Sequence, residues 1–223
     1  MPPAPHRAPR PQLSDEVAVR IRDRIMTGKL RRGQHLPLER LAEEIGVSVT
    51  PVREALLALR GEGFVELEPR RGFTVVPLNR QDVADANRLR AGLAGELAAR
   101  TAERISIAQL DALEAVQAEL EHATRFGIGD AVQLDQRFHT AIHDVAESAK
   151  LDWFLRLASR YVPQRIGAAT PGLTELTESE HREILRALRN RDAEAARWAM
   201  HEHAINTGRA LLRYLDEQKI WDQ

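Results

Sequence analysis

Residues 41–56 run Leu41-Ala42-Glu43-Glu44-Ile45-Gly46-Val47-Ser48-Val49-Thr50-Pro51-Val52-Arg53-Glu54-Ala55-Leu56. Apolar Leu38, Leu41, Ala42 and Ile45 recur at helical spacing from about Pro37. Gly46 can take the left-handed backbone that ends such a helix. Ser48 or Thr50 then opens a second helix, with Pro51 in its first turn, where a missing N–H costs nothing. Val52, Ala55, Leu56 and Leu59 make the inward face, and Thr50, Arg53 and Arg60 fall together on the other side.

The flanks extend this pair of helices. Upstream, Leu13, Val17, Ile21 and Ile25 repeat every four residues, with Ser14 or the residue before it as the expected cap and Gly28 as the stop. Downstream of Gly61 and Gly63 the period changes to two. Val65 and Leu67 alternate with Glu66 and Glu68, Pro69-Arg70-Arg71-Gly72 turns, and Phe73 and Val75 flank Thr74. Helices followed by a hairpin predict a winged helix-turn-helix over residues 13–77. A Pro-rich, basic arm at 1–12 is expected to be disordered, and 78–81 to be a linker. Beyond it every segment carries helical periodicity. The expected helices are 82–104, 106–125, 129–147, 150–167, 175–190 and 192–217, with a break at Thr170-Pro171-Gly172. The fold class is therefore mainly α: a winged helix-turn-helix followed by an all-α antiparallel bundle over 82–217.

Composition agrees. Only 4% of the 223 residues are aromatic, so cores must be built from Leu, Ala, Ile and Val, which favours packed helices over a β-sandwich. The net charge of −1 hides an asymmetry: residues 1–80 hold 14 Lys/Arg against 10 Asp/Glu, the remainder 18 against 23. The basic N-terminal part suits phosphate and the acidic part does not. With no cysteine there is neither disulfide nor thiolate chemistry, and a reducing cytoplasm is the expected compartment. No apolar run approaches the ~18 residues of a membrane span, and the N-terminus lacks the apolar centre of a signal peptide.

Two groups of residues carry chemistry. On the second helix Arg53 is placed to read guanine in a major groove, where its planar fork meets two acceptors. Ser48, Thr50 and Pro51 surround the helix N-terminus, whose free amides favour phosphate. Arg60 lies further along for phosphate, and Arg70 and Arg71 occupy the wing tip, with Gly72 expected to let that turn approach DNA closely. In the acidic part, Asp135 and His139 project from one helix face a turn apart. His181 and His203 fall on other helices that a bundle can bring to its core. Imidazole and carboxylate suit a divalent cation such as zinc, nickel or manganese, with zinc first. His143 extends the Asp135/His139 stripe and competes for the role. His201 is expected in solvent, and His35 and His122 have no partner in view. A different reading takes His143-Asp144 as the metal-binding pair of a phosphohydrolase, with His122 and Asp192 as the further ligands it needs. A third makes the metal purely structural.

The stretch 41–56, with Gly63 and Gly72 after it, resembles the GntR family of bacterial transcription regulators. Where this chain has Val49 many relatives carry Arg, and where it has Glu39 some carry an Arg that contacts DNA. Asp135-Gln136-Arg137-Phe138-His139, Glu180-His181-Arg182-Glu183-Ile184 and Met200-His201-Glu202-His203 resemble the helical FCD effector domain of the FadR-type branch, over about 82–215. That resemblance implies one divalent cation on Asp135, His139, His181 and His203, which helps hold a small carboxylate effector. It places Arg90 opposite the effector carboxylate. Asn206, three residues past His203 and near the same face, is a candidate hydrogen-bond partner of the effector by its spacing. The resemblance further implies a homodimer on two-fold operator DNA, and repression relieved by a metabolite. It implies no enzymatic activity.

Overall fold

A computed structural model describes residues 12–127, 130–162 and 173–222. Residues 1–11 of the expected arm and the Thr170-Pro171-Gly172 break lie outside them. Two compact units result, one ending at Leu78 and the other spanning Asn79–Trp221.

The first unit contains α1 (Leu13–Met26), α2 (Leu38–Ile45), α3 (Val49–Gly61), β1 (Val65–Glu68) and β2 (Gly72–Val75). Val17, Ile21, Ile25, Leu41, Val52, Leu56 and Leu59 are buried together with Phe64, Phe73 and Val75. Leu13, expected to join them, is 51% exposed at the first position of α1. Ser14 lies inside that helix rather than capping it. Gln12 is the cap residue, and its backbone N–H donates to Asp15. Gly46 ends α2 at φ 81°, and Ser48 is the cap position of α3. β1 and β2 pair antiparallel, with Val65 opposite Val75 and Glu68 opposite Gly72. Leu67, expected inward, is 44% exposed. The short hairpin outruns the core at that position. His35, which had no evident partner, bridges Thr74, and the Leu36 N–H donates to the Phe73 carbonyl. The loop before α2 thus edges the hairpin.

The second unit consists of α4 (Arg80–Arg104), α5 (Ile107–Phe126), α6 (Ala131–Val145), α7 (Ala149–Ser159), α8 (Leu173–Arg189) and α9 (Ala193–Glu217). Its starts follow local chemistry: Asn79, Ser106, Asp130 and Asp192 each accept a backbone N–H in the first turn of the helix they precede. The helix expected over 150–167 ends at Ser159, and the part of that expectation beyond residue 162 lies outside the described residues. Leu97, Ala98, Phe138, Ile142, Ile184, Leu188, Ala196 and Met200 form the core. α4 and α9, 25 residues each, are its long pair and pack against one another. Two glycines let them approach. A Cβ on Gly95 would sit 2.7 Å from the Arg197 carbonyl, and one on Gly208 would sit 1.7 Å from the Asn87 amide nitrogen. Asn87, buried at 4% exposure, occupies that notch. Among the described residues no helix is long and apolar enough to cross a membrane.

Candidate functional site

On the first unit, Ser48, Thr50, Arg53, Arg60, Arg70 and Arg71 are all exposed. Ser48 makes no capping hydrogen bond with its side chain, so its hydroxyl is not used by the helix it precedes. Arg53, Arg60 and Arg70 enter no ion pair among the described residues, whereas Arg71 is held by Glu68 at 3.0 Å. Arg70 sits at the hairpin tip with φ 65°. Pro51 and Gly72 also have roles within the fold. Pro51 is buried, so it shapes the first turn of α3 rather than offering a surface. Gly72 has φ 79°, and a Cβ there would lie 3.2 Å from His35 Nε2. The glycine thus accommodates a neighbouring ring of the same unit.

In the second unit, α6, α8 and α9 bring three imidazoles together. Ligating atoms of His139, His181 and His203 all lie within 4.8 Å of one another, and Nε2 of His139 and His203 are 3.2 Å apart. Asp135, one turn before His139, puts Oδ1 3.8 Å from His139 Nε2 and 3.7 Å from His181 Nε2. Phe138 stacks on His181 with ring centres 4.1 Å apart and fixes its plane.

The hydrogen-bond network decides which nitrogens face inward. Arg182 holds Glu121, and Glu121 accepts from the Gln117 amide at 3.0 Å. The Gln117 carbonyl oxygen is therefore the atom 2.8 Å from His181 Nδ1, which must donate to it. Likewise Asn206 donates to Glu180 at 2.6 Å, and Glu180 accepts from His203 Nδ1 at 2.9 Å. Both rings are left with a bare Nε2 lone pair pointing at the shared centre. His181 Nε2 is buried there without a hydrogen-bond partner. A cation between them would take up these lone pairs; without one, His139 Nε2–H can donate to His203 Nε2 at 3.2 Å, which still leaves His181 Nε2 unpaired. A metal–nitrogen bond of about 2.0–2.1 Å would set neighbouring nitrogens about 3.3 Å apart. The donor set and its outer partners fit a divalent ion, since ligating imidazoles characteristically donate their other N–H to a carboxylate or carbonyl. Gln117 and Glu180, which the sequence reading did not single out, perform this second task. Only their positions on α5 and α8 relative to the histidines reveal it.

Electrostatics point the same way. Burial pushes His139 down to about 4 and holds His181 and His203 well below the ordinary histidine value. All three are neutral at pH 7, the form that ligates. Burial raises Asp135 to about 6, opposed by Arg90, so it is mostly ionised at pH 7. Arg90 is lowered to about 10 by burial and remains a cation. Its guanidinium donates to the Ala204 carbonyl at 2.8 Å and to Asn87 Oδ1 at 3.3 Å. Asn206, expected near an effector, has its amide nitrogen engaged by Glu180. The structure thus assembles Asp135, His139, His181 and His203, with Arg90 electrostatically coupled to Asp135. His201, expected in solvent, is half-buried: its Cβ lies against Gly95 of α4, and its Nδ1 is 3.2 Å from Glu202.

The phosphohydrolase set does not assemble. His122 is exposed against Phe126, Asp144 is exposed, and Asp192 caps α9.

Residues 13–75 match the family described as bacterial regulatory proteins, gntR family, and residues 85–206 match the FCD domain. The chain is 31% identical to the Uxu operon transcriptional regulator of Escherichia coli (strain K12), over 92% of this chain and 89% of that one. It is 25% identical to the HTH-type transcriptional repressor RspR of the same strain, over 85% and 84%. Among solved structures, E. coli McbR/YncC shares the fold with a TM-score of 0.69 at 24% identity, covering 93% of this chain and all of that one. Relatives that match nearly end to end are named as transcription regulators, not enzymes. The helix-turn-helix, its hairpin and the helical domain behind them therefore place the chain in the GntR family of DNA-binding transcription regulators, in the FadR-type branch with an FCD domain.

Proposed function

We propose that the protein is a ligand-responsive repressor. Its helical domain binds one divalent cation, zinc first, on Asp135, His139, His181 and His203, and through it a small carboxylate effector. The observation that carries this reading is the pair of bare Nε2 lone pairs on His181 and His203, each aimed inward by a buried partner, beside the His139 nitrogen and Asp135. Three histidines and one carboxylate leave coordination positions for a ligand oxygen. Arg90, a buried cation near Asp135, supplies the charge that a second carboxylate oxygen needs.

On the other unit Arg53 reads base edges, while Ser48, Thr50 and Arg60 hold phosphate. Arg70 and Arg71 at the wing tip add backbone or minor-groove contacts, Arg71 after leaving Glu68. The active species is a homodimer on two-fold double-stranded operator DNA, and the bound acid lowers operator affinity by favouring the arrangement that binds DNA less well. Repression is supported by the named role of RspR alone. Metal content of the purified protein, followed by a thermal-shift screen of small organic acids with and without chelator, tests the reading. Acids that raise the melting temperature only in the metal-loaded protein, and then weaken operator binding, are the expected result. A metal-free protein, or acids acting equally after chelation, would refute it.

A further inference from the structure

The hairpin tip carries two neighbouring guanidiniums in unlike states. Arg70 enters no ion pair among the described residues, whereas Arg71 Nη1 lies 3.0 Å from Glu68 Oε2. The second contact is built into the turn. Glu68 ends β1 opposite Gly72, and the Arg71 N–H donates to the Glu68 carbonyl at 3.2 Å, so the backbone itself sets the two side chains together. The carboxylate is also held at its other oxygen. The hydroxyl of Thr74, buried at 1% exposure, donates to Glu68 Oε1 at 3.0 Å. Thr74 and then Arg71 keep the Glu68 carboxyl below the usual carboxylate range. Glu68 is thus a fixed negative charge at a tip whose arginines are to meet phosphate.

A carboxylate so placed opposes DNA in two ways. It repels a phosphate that approaches Arg71, and it occupies an N–H that the phosphate needs. The pair is nevertheless open to exchange. The Arg71 side chain is 67% exposed, and exposed ion pairs are weak in water, so a phosphate can displace the carboxylate. Phosphate contacts carry no sequence information directly, so the opposition falls on the sequence-independent part of binding.

We propose that Glu68 is a brake on DNA binding: anchored by Thr74, it holds Arg71 back from phosphate and lowers the affinity for duplex DNA of any sequence. This rests on the reading of Arg71 as a DNA-contacting residue. The test is fluorescence anisotropy of the full-length protein with a short labelled duplex of arbitrary sequence, over a salt series. Glu68→Gln, which keeps an oxygen for Thr74, should tighten binding about two- to fivefold, the worth of an exposed ion pair. Glu68→Ala should act in the same direction, so a folding defect in one variant, seen in its melting curve, leaves the other to decide. Arg71→Ala should weaken binding and lower the salt slope by about one. In the Arg71→Ala background Glu68→Gln should bring no gain. Unchanged or weaker binding by the Glu68 variants overturns the proposal, the carboxylate then being at most an orienting partner of Arg71. An equal gain in the absence of Arg71 overturns it as well, since it would report general loss of negative charge. Unchanged affinity and salt slope in Arg71→Ala alone would overturn the reading of Arg71 itself, a separate outcome.

Discussion

Arg53 stands clear of its own fold. It is exposed on α3 and enters no ion pair among the described residues, so none of these competes with DNA for it. Arg53→Ala should weaken specific operator binding by about 1–3 kcal/mol at matched salt and relax base preference at one position, read by fluorescence anisotropy. Unchanged operator affinity would contradict its assignment to base reading. The residues around the candidate cation site differ in how far the sequence disclosed them. Asp135 and His139 could be paired from spacing alone, because a helix puts i and i+4 on one face. Gln117 could not, since its role depends on α5 lying against α8 and on Glu121 turning its amide. Gln117→Leu should keep the fold and lower metal affinity by about 10–100-fold, measured by competition with a chelator of known strength. Affinity within twofold of wild type would show that the amide does not hold the ring.

At the scale of elements, α4 and α9 are bound by a notch as well as by apolar area. Gly208 leaves the volume that the Asn87 amide fills, and Asn87 in turn accepts from Arg90. Gly208→Ala should destabilise the fold by about 1–3 kcal/mol, the usual cost of forcing extra atoms into a packed site. Adding Asn87→Ala should recover part of the loss, because the two positions share the same space. Denaturant unfolding of the single and double variants decides it, and strictly additive losses would contradict the notch. The helices themselves were legible from period; the caps that the structure shows at Asn79, Ser106 and Asp192 lie within three residues of the expected starts. The ends were less so. Glu147 and Arg191 close their turns at positive φ without glycine, where no residue-level signal marks the stop. The closeness of α4 to α9 was hidden too, because two isolated glycines within helical patterns look like ordinary weak points.

Across the whole molecule, acid should act through the histidines. His139 is depressed to about 4, below its ordinary value near 6.5, and His181 and His203 are held well below that value too. The unfolded chain then binds more protons than the folded one below about pH 6.5, so stability falls as pH drops from there toward 4. Asp135 opposes this: with its value raised to about 6, its contribution is favourable at low pH and lost as pH rises through 6. His143, depressed to about 3 by burial, is a fourth such group, and four imidazoles outweigh Asp135 and Glu180, the two carboxylates that burial raises. Chelated protein should therefore melt at lower temperature at pH 5 than at pH 7, by calorimetry. Metal-loaded protein should lose its ion over the same interval, since protons and cation compete for the same nitrogens. A flat melting temperature between pH 7 and 5 would show that the rings are not buried neutral.

The candidate centre is built from imidazole and carboxylate in a chain that contains no cysteine. Peroxide and disulfide-forming reagents thus find no sulfhydryl to modify, neither at the centre nor elsewhere. Oxidants that disarm sulfur-ligated sites have no thiol to act on here, and the protein needs no thiol reductant during purification.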